Sequence, residues 1–434
     1  MQNFFIDYLA KYNLGPTKYR RWIPLDFLNA ISILRRQGIP AKLISGKEAL
    51  GIAVKGGLNF FISSSHLDIW QCPPLDISPG FYELCRKLAQ NNNLFVSGFH
   101  GTLLPEIMLA KTSAKAIIRS EPEAVMEEIS KARPFDQIKG ITYRNHDKIV
   151  SNPDQGFLDL KKIPVPAYDQ VDFRLYRYGL TGWDNFAIFE TSRGCKFNCE
   201  FCSKDVMYGR QYRIKDPEQA KREIETAILD HKARSGYFFD LDFLSNKETV
   251  EELCNFLAKR KYDFKWCCQT KIDEVDAGLL KLMRQAGCRL VHYGIETYSD
   301  INGNRKYKSF SLEKAKKVIQ ETESLGIYSL CFYIIGFNGH LSPGEDRKTL
   351  RMMHEIDSRY ISLHRYYNYR DKDLMQRGLG GFKRRKIDKI GITILMSLLL
   401  YYFSPKRIIK YLSEDAGRGF LPRLKYFLAA IWQS

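Results

Sequence analysis

The chain reads as an α/β protein in three parts: an N-terminal doubly wound parallel sheet, a partial six-repeat βα barrel, and an α-helical C-terminal tail. Three observations carry this reading. Short apolar runs alternate with helix-period patterns through roughly the first 135 residues, the same alternation resumes at Phe186 for about 180 residues, and the last stretch is basic and lacks it.

In the first part the predicted strands are Phe4–Tyr8, Lys42–Ser45, Asn59–Ser65, Leu94–Ser97 and Ala116–Arg119. Helical patterns at Leu25–Gln37, stopped by Gly38, at Phe81–Gln90 and at Glu121–Ser130, with Pro122 in its first turn, separate them. Five strands with intervening helices predict a small sheet of the Rossmann or flavodoxin type over residues 1–135, with ligands beyond the carboxyl ends of the strands. Residues 136–180 read as a linker. They hold a hairpin pattern, Ile141–Arg144 and Lys148–Val150 around Asn145-His146-Asp147, and the run Ile163-Pro164-Val165-Pro166, which suits neither a helix nor a central strand.

Residues 181–370 carry six repeats. Strands are expected at Phe186–Glu190, Gly236–Leu241, Lys265–Gln269, Leu290–Gly294, Tyr328–Ile335 and Tyr360–His364. Helices fall between them at Glu218–Lys232, Glu248–Lys261, Ala277–Gln285, Leu312–Leu325 and Asp346–Ile356. Six repeats make an open TIM-like barrel rather than a closed eight-fold one. Residues 371–434 form the tail. There Lys383-Arg384-Arg385-Lys386 precedes the apolar run Ile390–Phe403, too short to span a bilayer. The run suits a helix covering the open edge of the barrel, or an interfacial helix in peripheral contact with a membrane.

Composition narrows the function. The formal charge is +18, but from Arg377 onward there are 12 Lys/Arg against 3 Asp/Glu, a net of +9. Half of the excess thus sits in the tail, which argues against a nucleic-acid groove spread over the surface. Ten cysteines in 434 residues are too sparse for a secreted disulfide scaffold. The opening Met1-Gln2-Asn3-Phe4-Phe5-Ile6-Asp7 shows no basic leader, so a cytoplasmic location is expected, peripheral to the membrane if the tail binds lipid.

Chemistry concentrates in Glu190-Thr191-Ser192-Arg193-Gly194-Cys195-Lys196-Phe197-Asn198-Cys199-Glu200-Phe201-Cys202, directly after the first barrel strand. That is the catalytic face of a βα barrel. Three thiolates in eight residues can hold three irons of a cubane cluster and leave the fourth open. The alternatives are a structural zinc site, for which no fourth ligand follows at zinc-ribbon spacing, and three packed core cysteines.

This segment resembles the radical S-adenosylmethionine (SAM) signature, with Phe201 as the aromatic before the last cysteine. Ser97-Gly98-Phe99-His100-Gly101-Thr102, Pro164-Val165-Pro166-Ala167 and Gly294-Ile295-Glu296 extend the resemblance to the subgroup with an N-terminal cobalamin-binding-type domain. It implies a 4Fe-4S cluster on Cys195, Cys199 and Cys202, SAM chelated by the fourth iron, and its reductive cleavage to a 5′-deoxyadenosyl radical. It also implies an electron donor of the flavodoxin or ferredoxin type. Matched position by position, Asp240 would face the methionine ammonium, Gly294 and Glu296 the ribose or the amine, and Ile335 and Gly336 the adenine. Asn338 and His340 depart from the family's usual Pro and Glu.

Cobalamin would lie against Ser97 and Gly98, and against Ser63-Ser64-Ser65-His66, although no Asp-x-His-x-x-Gly motif occurs. His66 and His100 are candidate cobalt ligands or structural histidines. Cys267 and Cys268 lie on the third barrel strand, so one is expected to point into the barrel, either simply packed or on the substrate side. The expected activity is radical chemistry on an unidentified small-molecule or peptide substrate, with cobalamin-dependent C-methylation one form. A non-methylating rearrangement or cyclisation enzyme with a vestigial cobalamin domain, and a non-catalytic Fe–S scaffold, are the alternatives. No cysteine follows Cys331, so no auxiliary cluster is expected in the tail.

Overall fold

A computed structural model describes residues 2–8, 22–65, 77–301, 310–337, 341–342, 344–379, 389–405 and 407–408. His66, Asn338, His340, the basic run at 383–386 and residues 409–434 lie outside the described residues.

The first sheet has β1 (Asn3–Asp7), β2 (Ala41–Ser45), β3 (Asn59–Ser63), β4 (Asn93–Ser97), β5 (Ala116–Ile118), β6 (Ile141–Asn145) and β7 (Lys148–Ser151), in the order β2-β1-β3-β4-β5-β6-β7. β1 to β5 are parallel, as expected. The run Asn3-Phe4-Phe5-Ile6-Asp7 shows why: every residue is buried, so both faces of the strand must be covered. Phe5, Phe61 and Phe95 stack across three strands at 4.9 and 5.1 Å beneath the helices Leu25–Arg36 and Glu123–Ser130. Phe4, Ile6, Phe60 and Ile62 face the other core. Burying each phenylalanine contributes about 1.5–3 kcal/mol.

The expected hairpin forms, but it does not belong to a linker. β6 pairs antiparallel with β5 and β7 with β6, so residues 141–151 complete the first sheet and the connection proper runs from 152 to 180. Ile141 and Tyr143 join the core. A three-residue β5 would otherwise present an uncovered edge.

After the two-residue pair β8 (Arg177–Tyr178) and β9 (Trp183–Asp184) comes the barrel strand β10 (Phe186–Phe189). A small antiparallel pair, β11 (Ser192–Gly194) and β12 (Tyr212–Ile214), follows it. Then come β13 (Ser235–Phe238), β14 (Lys265–Lys271), β15 (Cys288–Glu296), β16 (Tyr328–Ile335) and β17 (Tyr360–Arg365). The sheet order β10-β13-β14-β15-β16-β17 is parallel throughout and open between β10 and β17, the six-repeat partial barrel expected.

Its helices begin at polar caps. The Asp276 and Ser311 side chains accept from the Leu279 and Lys314 N–H groups at 3.0 and 3.1 Å, each cap contributing about 1 kcal/mol. The apolar run of the tail forms the helix Lys389–Tyr402, which lies on the open edge. There the Tyr402 hydroxyl accepts from Ile361 N and donates to Ile361 O at 2.8 and 2.9 Å, satisfying an edge strand that no further described strand pairs.

Candidate functional site

The site grows from the end of β10. Gly194 ends β11 at φ +81°, and a Cβ there would overlap the carbonyl oxygen of Gln211, so only glycine lets the cysteine segment leave β11 this close to β12. Cys195, Cys199 and Cys202 follow, each half-buried, while the other six described cysteines are fully buried. The Cys202 amide donates to Cys199 O at 3.1 Å and the Phe197 amide points at Cys195 Sγ at 3.5 Å. Burial, with the charges of Asp242, Cys202 and Cys199, pushes the Cys195 thiol up to about 12 against the Phe197 N–H bond. A positive metal core is the ordinary remedy for thiolates crowded in this way.

Among the described residues no three Cys, His, Asp or Glu side chains converge on one ion.

The loop is pinned on both flanks. Lys196 Nζ donates to Ser245 O at 2.6 Å, and Lys271 Nζ stands 3.2 Å from the Phe197 ring centroid. From the far end of the barrel, Arg370 reaches Glu200 O at 3.1 Å, Cys202 O at 2.6 Å and Asp205 Oδ1 at 3.0 Å. Arg370, just after β17, thus ties the last barrel strand to the cysteine loop.

Beneath the loop lies a buried charge network that the sequence reading missed. Arg193 pairs with Glu190 at 2.9 Å and Glu123 at 2.5 Å, and Lys215 pairs with Glu223 at 2.9 Å and Glu190 at 3.6 Å. Arg213 binds Glu121, and Asn29 donates to Glu190 at 3.3 Å. Asn29, Glu121 and Glu123 belong to the first domain, so the network bolts it to the root of the cysteine loop. Burial would raise Glu190, but Arg193 and Lys215 outweigh it and hold the carboxyl at about 2. For Glu123 burial wins and pushes the carboxyl up against the pull of Arg193.

The positions carried over by resemblance fall as follows. Asp240 is buried, and its carboxylate accepts from the Thr191 amide at 3.0 Å, the Thr191 hydroxyl at 2.6 Å and the Ser192 hydroxyl at 2.5 Å. It thus straps the start of the cysteine segment to the end of β13. Asp242, also buried, accepts from Thr270 at 2.7 Å and Ser245 at 2.9 Å.

Gly294 and Glu296 flank a register shift at the end of β15, and Glu296 takes φ +68°. A non-glycine residue held there costs about 1–3 kcal/mol and commonly marks a functional site. The Gly336 amide donates to Asp346 Oδ1 at 3.1 Å, and Ile335 O accepts from the Tyr366 amide at 2.9 Å, so both backbone groups expected at an adenine have protein partners here.

In the first domain Ser97 Oγ is buried at the end of β4 with no hydrogen-bond partner, while a Cβ on Gly98 would lie 2.8 Å from Ser64 Oγ and Ser65 O. Gly98 therefore serves loop packing, and Ser97 is the polar group suited to a ligand. His100 Nδ1 lies 3.2 Å from Ser64 Oγ.

Sequence reading also passed over the inner wall of the barrel. The Tyr293 hydroxyl meets Thr322 of the helix Leu312–Ser324 at 2.8 Å, so its neighbour His292 faces the opposite side. There His292 Nε2 lies 3.1 Å from the Tyr178 hydroxyl, with the Tyr237 and Phe332 rings at 5.4 and 5.8 Å. Tyr237 donates to Gln269 at 2.8 Å. Cys267 and Cys268 are both buried.

Comparison with known proteins agrees with this architecture. Residues 189–353 match the radical SAM superfamily. An uncharacterized methyltransferase of Pyrococcus horikoshii is 26% identical over 288 residues, covering 63% of this chain and 61% of that protein. An anaerobic magnesium-protoporphyrin IX monomethyl ester cyclase of Rubrivivax gelatinosus is 28% identical over 288 residues, covering 60% of this chain and 50% of that protein. The chain thus spans between half and two thirds of these relatives' lengths. Among solved structures, the radical S-adenosylmethionine methyltransferase TsrM from Kitasatospora setae, with cobalamin and a 4Fe-4S cluster bound, superposes with a TM-score of 0.65 at 13% identity, over 84% of this chain and 72% of that one. That likeness establishes the fold alone.

Proposed function

We propose, starting from the radical SAM domain at residues 189–353, that this chain is an enzyme that reductively cleaves SAM and methylates a carbon of its substrate with the help of cobalamin. The observation that supports this most is the placement of three half-buried thiols on one pinned loop at the carboxyl face of an open βα barrel. Bound at Cys195, Cys199 and Cys202, a 4Fe-4S cluster would supply the electron that splits the sulfonium C–S bond, and cobalamin would supply the methyl group.

The chain's own residues hold and shield the reactants. Cys195, Cys199 and Cys202 ligate the metal core, with Arg370 and Lys196 fixing the backbone between them. Asp240 fixes Thr191 and Ser192, and through them the approach to Cys195, rather than meeting the cofactor with an open carboxylate. Gly294 and Glu296, at the β15 irregularity, are the candidates for the SAM ribose or ammonium, while Ile335 and Gly336 shape the floor for its adenine. The aromatic wall of Tyr178, Tyr237, His292 and Phe332 keeps water from a radical. Ser97 is the candidate partner for the cobalamin tail. The methyltransferase and the cyclase among the relatives differ in chemistry, so the substrate, a small molecule or a peptide, is left open; the electron donor is of the flavodoxin or ferredoxin type.

The test is anaerobic reconstitution followed by incubation with dithionite and SAM. About four irons and four sulfides per chain and release of 5′-deoxyadenosine are expected. An intact cluster that yields no 5′-deoxyadenosine would support a scaffold role instead. A corrinoid absorption band in protein purified with cobalamin separates the methylating reading from a non-methylating, cyclase-like one.

A further inference from the structure

The helix Lys389–Tyr402 has no charged residue after Lys389, and its sequence is apolar on every side except for Thr393 and Ser397. One face is packed. Ile390 is buried against Gly336, the Tyr401 hydroxyl donates to Ser358 O at 2.6 Å, and Tyr402 bonds the edge of β17. The opposite face should then be polar, as on the barrel helix Lys247–Arg260, which buries Val250, Leu253, Cys254 and Leu257 and carries its charges elsewhere. It is not. Ile392, Met396 and Leu400, each four residues from the next, form one outward stripe at 51%, 50% and 64% exposure. Leu395 and Leu399 flank it, half-buried.

We propose that this stripe is a docking surface for an anionic lipid bilayer. A helix apolar all round belongs in a core or against hydrocarbon, and the described residues cover only one of its sides. Its 14 residues reach about 21 Å, short of a hydrocarbon core, and among the described residues no helix is long and apolar enough to cross a membrane. The helix therefore lies in the interface.

Charge selects the lipid. Lys383, Arg384, Arg385 and Lys386 precede the helix by three to six residues, and Lys389 is exposed at its first position. Cations at the entrance of an interfacial helix draw it to anionic headgroups. A second copy of the chain fits less well, because it would bring two segments of net +9 face to face.

Flotation of the full chain with vesicles tests it. The chain should float with about 30 mol% phosphatidylglycerol in phosphatidylcholine, not with phosphatidylcholine alone, and should be released by high salt. Replacing Met396→Asp and Leu400→Asp together should weaken vesicle binding about tenfold, with an unchanged circular dichroism melt because both side chains face outward. Converting all four residues Lys383 to Lys386 to glutamate should weaken it independently. The proposal is overturned if the chain ignores anionic vesicles, or if neither variant changes binding. A dimer dissolved by the aspartate pair in place of vesicle binding would also overturn it, as would binding that appears only after residues 409–434 are removed.

Discussion

Residues 190–193 and residues 195–202 are neighbours in the chain and opposites in the structure. The first stretch ends in a dry lattice where Glu190 and Arg193 are fully buried and each charge meets an opposite one. The second is a half-buried loop whose thiols have no regular structure of their own and are positioned by bonds to their backbone from Arg370 and to a neighbouring turn from Lys196. The contrast shows how a reactive loop can be held without being stiffened at the reactive atoms. Rigidity is supplied just upstream, where removing one ion from a buried network leaves another unpaired in low dielectric. The loop inherits that rigidity while its three thiols remain half-buried.

Four experiments test it. The largest effect is expected from replacing Cys195, Cys199 and Cys202 with alanine, which should reduce reconstituted iron from about four per chain to near none and leave the thermal melt of the apo-protein nearly unchanged. A collapse of the fold would mean that the loop is structural.

Next is Glu190→Gln, expected to destabilise by about 3 kcal/mol or more in urea unfolding, because it leaves Arg193 and Lys215 short of a carboxylate. Glu190 titrates near 2 when folded against an ordinary 4.5, so its contribution is present above pH 4.5 and is lost as pH falls toward 2. The gap between wild type and variant should close over that window. Third, Arg370→Ala should speed cluster loss to a chelator by about tenfold with little change in the apo-protein melt, and Arg370→Lys should recover part of it. The smallest effect is expected from Glu123→Gln, at about 1 kcal/mol or less. Burial already disfavours the charge of Glu123, and four carboxylates face three cations in this network. A loss as large as that of Glu190→Gln would show that the network needs all four charges.

Legible in the sequence were the five parallel strands of the first sheet, the six barrel strands with the helices between them, and the three cysteines. Each is a local signal: apolar runs such as Asn59–Ser63 with turn residues at their ends, helix periodicity, and ligands packed within eight residues. Tertiary structure decided what depends on residues far apart in the chain. It moved the 141–151 hairpin from the linker into the first sheet, because the open edge of β5 lay beside it. It turned Asp240 toward Thr191 and Ser192 across 49 and 48 positions, and brought Arg370 onto the Cys202 carbonyl across 168. It gathered Asn29, Glu121 and Glu123 around Arg193, each unremarkable in its own segment. Charge and hydrogen-bond partners are chosen by proximity after folding, and no pattern of spacing along the chain records that choice.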